Sequence, residues 1–124
     1  MILTARYGTR NVARAAAFYD AVLGALGAQR YLQQPTVLGY QTPGESGIFL
    51  VNLAEPGAII ESPSTQISFA AHSTAEVDEA YARVAAAGGI CGAPPVRRGV
   101  DSIGYYIAYA RDPDGNRLAI YFTG

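Results

Sequence analysis

The sequence predicts an α+β domain built from two βαβββ modules, with curved mixed sheets that form a cleft and helices on the outer faces. Two observations predict this fold. The chain contains two amphipathic helix patterns, and each has one strand pattern before it and three after it. The two sets also lie in register at an offset of half the 124-residue chain, as expected of an internal repeat. A single domain of residues 1–124 would then consist of modules 1–54 and 65–124, joined by the linker 55–64.

The helices have the clearest signals. Asn11 can cap the pattern VARAAAFYDAVLGALG, in which apolar residues recur at helical spacing. Ser73 and Glu76 form a capping box before TAEVDEAYARVAAAGG, and Gly88-Gly89 offers the left-handed backbone that ends a helix. Because the caps Asn11 and Ser73 coincide in register, the two halves are interpreted as structural repeats.

Strand patterns flank both helices. The leading strands are predicted over 3–10 and 65–72. Three further strands are predicted after each helix, over 28–33, 36–41, 47–54, 92–97, 103–110 and 117–122. Pro, Gly and Asx clusters place the breaks between them, among them 98–101 and the Asp-Pro-Asp-Gly turn at 112–115.

The alternation of side chains predicts which residues face the cleft. In the last strand Leu118, Ile120 and Phe122 form the apolar set that should lie under a helix, so the other face should be open. The fourth strand is assigned by aligning GIFLVNL with RLAIYFT. The predicted cleft residues are Thr4, Arg6, Phe49, Val51, Gln66, Ser68, Tyr105, Arg117, Ala119 and Tyr121.

Composition excludes several classes of partner. A net charge of −1 argues against nucleic acid and against an acidic membrane surface, because both require a basic face. No stretch approaches the roughly 20 apolar residues that span a bilayer. The N-terminus becomes charged too soon for a signal peptide, so a cytoplasmic location is expected. Cys91 is the single cysteine and is expected to be a small buried side chain.

The segments NVARAAAFYDAVLGALG, AEVDEAYARVAAAGG, GAPPVRR and GYYIAYARDPDGNRLAIYF together resemble the vicinal oxygen chelate superfamily. That group includes glyoxalase I, extradiol dioxygenases, fosfomycin-resistance enzymes and bleomycin-binding proteins. The resemblance covers nearly the whole chain and implies paired βαβββ modules. In metal-dependent members it implies a divalent ion held from the first, fourth, fifth and eighth strands. The matching positions here hold Thr4, Gln66 and Ala119, with Phe49 or Val51 on the fourth strand.

These positions predict that no metal and no other cofactor is bound. Divalent ions in such sites need several His or carboxylate donors that converge on one point. The chain has one histidine, His72, and no carboxylate on any strand assigned to the cleft. A Gln66 amide and a Thr4 hydroxyl are weak neutral ligands, and they cannot offset the cost of removing water from the ion. An error of one residue in the assigned strand faces would bring only Ala, Ile or Leu side chains into the cleft, and none of these binds a metal ion.

Four groups of candidate residues have competing interpretations. His72 is either a general base or an imidazole at the start of the second helix. Asp112 and Asp114 look like a carboxylate pair, but their setting in a turn indicates bonds to nearby backbone N–H groups. Arg6 and Arg117 either extend to solvent at the cleft rim or point inward, where they would favour an anionic ligand. Tyr121, Phe49 and Tyr105 are either half-buried core and edge residues or aromatic walls of the cleft, which would favour a flat organic ligand.

The leading hypothesis is a homodimeric protein that binds a small organic molecule without metal, in a sequestration or resistance-like role, and the sequence leans against an enzyme. Dimerisation follows from the resemblance and from open sheet edges that need covering. The alternative is a lyase, isomerase or dioxygenase of the glyoxalase type, with or without metal. In its metal-independent form Arg6 or Arg117 would stabilise an enolate-like oxygen, and His72 or a tyrosine would move the proton.

Overall fold

The computed structural model describes residues 2–100 and 103–124, and within them it confirms the α+β class with two helices and two mixed sheets. The first module consists of β1 (Thr4–Thr9), α1 (Val12–Gly24), β2 (Gln29–Gln34), β3 (Val37–Gln41) and β4 (Ile48–Leu53). The second consists of β5 (Ile67–Ala70), α2 (Thr74–Ala86), β6 (Ile90–Cys91), β7 (Val96–Val100), β8 (Ile103–Arg111) and β9 (Arg117–Phe122). The sheet orders are β1-β4-β3-β2 and β5-β9-β8-β6, and β7 pairs with β8.

Both helix starts are capped as predicted. The Asn11 side chain accepts a hydrogen bond from the backbone N–H of Arg14, and the Ser73 hydroxyl accepts one from Glu76 N–H at 3.1 Å. In a standard capping box the Glu76 carboxylate would accept a hydrogen bond from the backbone N–H of the cap residue, Ser73. Here it accepts from the backbone N–H of His72, one residue earlier in the chain. Neither helix in the described part of the chain is long and apolar enough to cross a membrane.

The second module departs from the predicted strand pattern. The strand expected over 92–97 is interrupted, because Gly-Ala-Pro-Pro at 92–95 contains two prolines that cannot donate to a β-ladder. Short β6 pairs with β8 before this interruption, and β7 pairs with β8 after it. Residues 98–100 were predicted to belong to a break between two strands, but they form the second part of β7. Asp101, also assigned to that break, lies outside the described residues.

The helix-facing sides of the two sheets share one hydrophobic core. Fully buried side chains from α1 and α2 belong to the same cluster, and Arg83 of α2 donates to the carbonyl of Ala21 in α1 at 2.9 Å. The rings of Phe49 in the first sheet and Phe69 in the second meet edge to face at 5.0 Å. The modules therefore pack together through their helices and through the sheet faces beneath them.

The register of β4 corrects one predicted placement. Phe49 and Val51 are paired with Ala5 and Tyr7 of β1, and the Phe49 ring lies 4.9 Å from the ring of Tyr19 on α1. Phe49 and Val51 therefore lie under the helix and not on the opposite face. The alignment of the fourth and last strands was displaced by one residue, which exchanges the two faces of a strand.

Candidate functional site

The remaining predicted cleft residues lie on the face of each sheet that is opposite its helix, here called the open face. On the first sheet Thr4 and Arg6 are exposed, and their partners on β4 are Ile48 and Leu50. On the second sheet the open face carries Ser68, Tyr105, Arg117, Ala119 and Tyr121. Among the described residues β1 pairs only with β4, and β5 pairs only with β9. The two open faces are thus not joined by strand pairing within one chain.

A pocket of about 180 Å³ lies on the second sheet and is called the sheet pocket here. Its lining includes Gln66, Ile90, Cys91, Tyr109, Arg111 and Arg117. The Arg117 guanidinium donates to the carbonyl of Pro63 in the linker at 2.5 Å. The lining of the sheet pocket therefore includes two arginines, a glutamine and a tyrosine beside apolar residues.

Two residues of the sheet pocket differ from what the sequence suggested. Tyr109 was not assigned to the cleft, although it follows Tyr105 and Ile107 at alternate positions of β8 and therefore shares their face. Cys91 is exposed and not buried, because it ends the short edge strand β6. The alternation of β8 could have identified Tyr109, whereas β6 itself was not predicted.

Ala119 lies at the centre of the open face of the second sheet but has no exposed surface. Its cross-strand neighbours are Ser68 on β5 and Tyr109 on β8, and Arg117 and Tyr121 flank it along β9. A small side chain is thus enclosed by larger ones. Ala119, the position that matches the family's eighth-strand metal ligand, therefore lies on β9 here and presents no exposed surface.

The residues at the matching metal positions do not form a donor set that suits a divalent ion. Thr4 offers a hydroxyl on the first sheet, Gln66 offers an amide beside the second, and Ala119 offers no donor. Ile48 and Leu50, the fourth-strand residues on the open face, are apolar. In the described ranges no group of three or more His, Cys, Asp or Glu residues is placed to hold a metal ion. Hydroxyl and amide donors on separate sheets lack the converging His or carboxylate ligands of known sites.

The carboxylates of the 112–116 turn are used for structure. The buried Asp112 carboxylate accepts from the Tyr19 hydroxyl at 2.6 Å, from the Asn116 side chain at 2.8 Å and from two backbone N–H groups. Burial raises the pKa of Asp112. Asp114 accepts from Arg10 N–H and from the Arg14 guanidinium at 2.7 Å. The bonds to local backbone N–H groups were predicted, whereas the bonds to α1 and to the end of β1 were not.

His72 is exposed and lies between two carboxylates. Its Nε2 is 2.7 Å from a Glu45 carboxylate oxygen, and its Nδ1 is 2.9 Å from a Glu76 carboxylate oxygen. The hydrogen bond to Glu45, followed by that to Glu76, raises the pKa of His72. His72 is not among the residues that line the sheet pocket.

A second cavity of about 200 Å³ lies between β1 and β5 and is called the seam groove. Its floor is apolar and includes Ala5, Leu23, Phe49, Ile67 and Phe69. The loop 42–47 forms part of its wall through Thr42, Glu45 and Gly47. Unlike the sheet pocket, the seam groove is lined largely from the helix-facing sides of both sheets.

Comparison with known proteins gives a consistent assignment. The family model described as Glyoxalase/Bleomycin resistance protein/Dioxygenase superfamily matches residues 2–120. A glyoxalase/bleomycin resistance protein from Albidiferax ferrireducens T118 is 30% identical, with a TM-score of 0.88 and coverage of 98% of both chains. No curated protein matches the sequence.

Two more distant structures share the fold. A glyoxalase-related enzyme from Fulvimarina pelagi is 21% identical, with a TM-score of 0.75 and coverage of 98% of this chain and 87% of that one. A glyoxalase/bleomycin resistance protein/dioxygenase family enzyme from Burkholderia phytofirmans PsJN is 20% identical, with a TM-score of 0.76 and coverage of 98% of both chains. At these identities the likeness concerns the fold alone.

Proposed function

This chain belongs to the Glyoxalase/Bleomycin resistance protein/Dioxygenase superfamily, and on that premise we propose that it binds a small organic molecule without a metal ion, in a sequestration or resistance-like role. One observation carries the proposal. The open face of the second sheet offers a pocket with arginine, tyrosine and amide groups, while the residues matching the family's metal positions are Thr4, Gln66 and Ala119. Such a face suits recognition better than Lewis-acid chemistry, which needs an ion with an open position and strong ligands.

The lining of the sheet pocket favours a flat ligand that carries a carboxylate. Guanidinium groups bind carboxylates with two parallel hydrogen bonds, and Arg111 and Arg117 both line this pocket. The Tyr109 ring and the Ile90 side chain supply apolar surface for an aromatic body. Gln66 adds an amide that fixes orientation. We therefore propose small aromatic carboxylates as the ligand class.

We further propose that a second copy of the chain completes the site. At about 180 Å³ the sheet pocket is smaller than the roughly 300–1,000 Å³ of typical ligand pockets. Apolar residues on the same open face are exposed, among them Ile90 at 61% and Val96 at 42%. Exposed apolar surface beside a pocket is typical of an interface between chains. A homodimer would cover these side chains and add a second wall to the pocket.

Native mass spectrometry of protein purified without chelator tests metal independence and dimerisation together. We expect a dimer mass without metal, with or without an organic adduct. One metal ion per subunit that EDTA removes would contradict the proposal and favour a metal-dependent enzyme of the glyoxalase or dioxygenase type. A monomer at micromolar concentration would contradict the shared site.

The ligand class is tested with benzoate as the probe. Binding is measured by isothermal titration calorimetry, since Tyr109 is one of nine tyrosines in the chain and their summed fluorescence would not report on the pocket alone. We expect Arg117→Gln to weaken benzoate binding about tenfold, since a lost charge-assisted hydrogen bond is worth about 1.4 kcal/mol or more. Arg30→Gln, on β2 of the other sheet, is the matched control and should leave binding unchanged. Equal affinities for wild type and Arg117→Gln would show that the carboxylate is not bound in this pocket.

A further inference from the structure

The loop 42–47 connects β3 to β4 and is hydrogen-bonded to the second module through the Glu45 side chain. Within the loop, Glu45 N–H donates to the Thr42 carbonyl at 3.0 Å, and Gly44 has a φ of +85°, so the loop forms a compact turn. Among the described residues, the hydrogen bond between Glu45 and His72 is the one that ties this turn to the other module. The position of this wall of the seam groove therefore depends on His72.

The geometry around His72 requires both ring nitrogens to donate. A carboxylate oxygen faces Nε2 at 2.7 Å and another faces Nδ1 at 2.9 Å. An ionised carboxylate is an acceptor only, and a neutral imidazole has one donor nitrogen. This arrangement is therefore that of an imidazolium, and the raised pKa of His72 has the same cause. Glu45 from the loop and Glu76 from α2 are the charged groups that face the ring in the described part of the chain.

We propose that His72 is a pH-sensitive latch that fastens the loop 42–47, and with it one wall of the seam groove, to the start of α2. When the ring loses a proton, the bond to Glu76 is the one that remains. Glu76 is held in place by the backbone N–H of His72 at 3.0 Å and by its position in the first turn of α2, whereas Glu45 has no such anchor among the described residues. The neutral ring is then protonated at Nδ1, and the lone pair on Nε2 repels the Glu45 carboxylate.

The direction of the pH effect follows from the raised pKa. Because the folded-state pKa lies above the ordinary value of 6.5, the ring is charged and the latch closed at pH 6.5, where the carboxylates are ionised, and it opens as pH rises through the raised value. The His72 and Glu45 side chains are 49% and 50% exposed, so solvent screens their attraction. The effect is therefore local to the loop and leaves the stability of the whole fold nearly unchanged.

The single histidine makes the test direct, because NMR of the ring gives one set of imidazole signals. In the wild type we expect a His72 midpoint above 6.5, the backbone amides of Gly44 and Gly47 shifting with the same midpoint, and Nδ1–H as the tautomer at high pH. Glu45→Gln should lower the His72 midpoint and abolish the titration of the two glycine amides.

Glu79→Gln is the matched control, since Glu79 is on α2 but pairs with Arg83 and not with His72. It should change neither the midpoint nor the glycine amides. The latch is disproved if Glu45→Gln leaves the His72 midpoint unchanged, or if Gly44 and Gly47 do not titrate with the ring. This test is independent of the proposed ligand, because it needs no ligand and concerns another cavity.

Discussion

Asp112 is the residue at which the two modules depend on each other most directly. Its carboxylate is almost fully buried and accepts from Tyr19 of the first module and from Asn116 of its own turn. We expect Asp112→Ala to lower the free energy of unfolding by about 3 kcal/mol, because buried donors lose a charged acceptor. Urea unfolding measures this loss. Asp78→Ala is the control, because it removes one exposed hydrogen bond from the Tyr106 hydroxyl. It should lower the free energy of unfolding by less than about 1 kcal/mol. Equal losses in the Asp112→Ala and Asp78→Ala variants would contradict the role of Asp112.

Ala119 provides a second test at the scale of a residue. Because its methyl group has no exposed surface and is enclosed by its strand neighbours, Ala119→Glu would force a much larger side chain against them. We expect a loss of about 1–3 kcal/mol in urea unfolding, from overpacking. Ala86→Glu, on the exposed side of α2, is the control and should be nearly neutral. A stable Ala119→Glu variant would mean that the position still accommodates the ligand type of metal-binding relatives.

At the scale of elements, the correct predictions were those that depend on residues close together in the sequence, such as helix caps and turns. The caps Asn11 and Ser73 and the turn at 112–115 were identified because a short side chain bonds to a nearby N–H group in each. The faces of β9 were also correct, since its two sides differ in polarity. β4 was placed on the wrong face because both of its sides are apolar, with Ile48 and Leu50 on one and Phe49 and Val51 on the other.

What the sequence could not predict depends on partners distant along the chain. The β6 strand has two residues, too few for a periodic pattern, and exists because β8 is long enough to pair with it as well as with β7. The bond between Asp114 and Arg14, and the position of Glu45 beside His72, join different modules. No local pattern encodes such contacts.

Gly89 lies at the junction between α2 and β6, where the structure leaves little room for a side chain. A Cβ at this position would lie 2.7 Å from the Arg111 carbonyl oxygen and closer still to the Phe18 ring. We expect Gly89→Ala to lower the free energy of unfolding by about 2 kcal/mol through overpacking. Gly47→Ala is the control, because a Cβ there meets no atom within 4 Å. Thermal unfolding of both variants checks this, and similar midpoints would show that β6 can move away at little cost.

At the scale of the whole molecule, Tyr7 joins the sheets where their edge strands do not pair. Its hydroxyl donates to the Arg117 carbonyl and accepts from Ile67 N–H at 3.0 Å. Tyr7→Phe keeps the ring and removes both bonds, so we expect a loss of about 1–2 kcal/mol. Hydrogen exchange at the Ile67 amide should accelerate more than exchange at other β5 amides. Tyr121→Phe, on the open face, should leave the Ile67 amide protected, and an unchanged rate in Tyr7→Phe would contradict this role.

The link between Tyr19 and Asp112 also has a consequence for biosynthesis. The two residues are 93 positions apart, so a ribosome that adds about 5–20 residues per second makes them roughly 5–20 s apart. During that interval the nascent first module has a tyrosine hydroxyl destined for the interior and no acceptor for it. The N-terminal half therefore cannot reach its final packing while it is being translated.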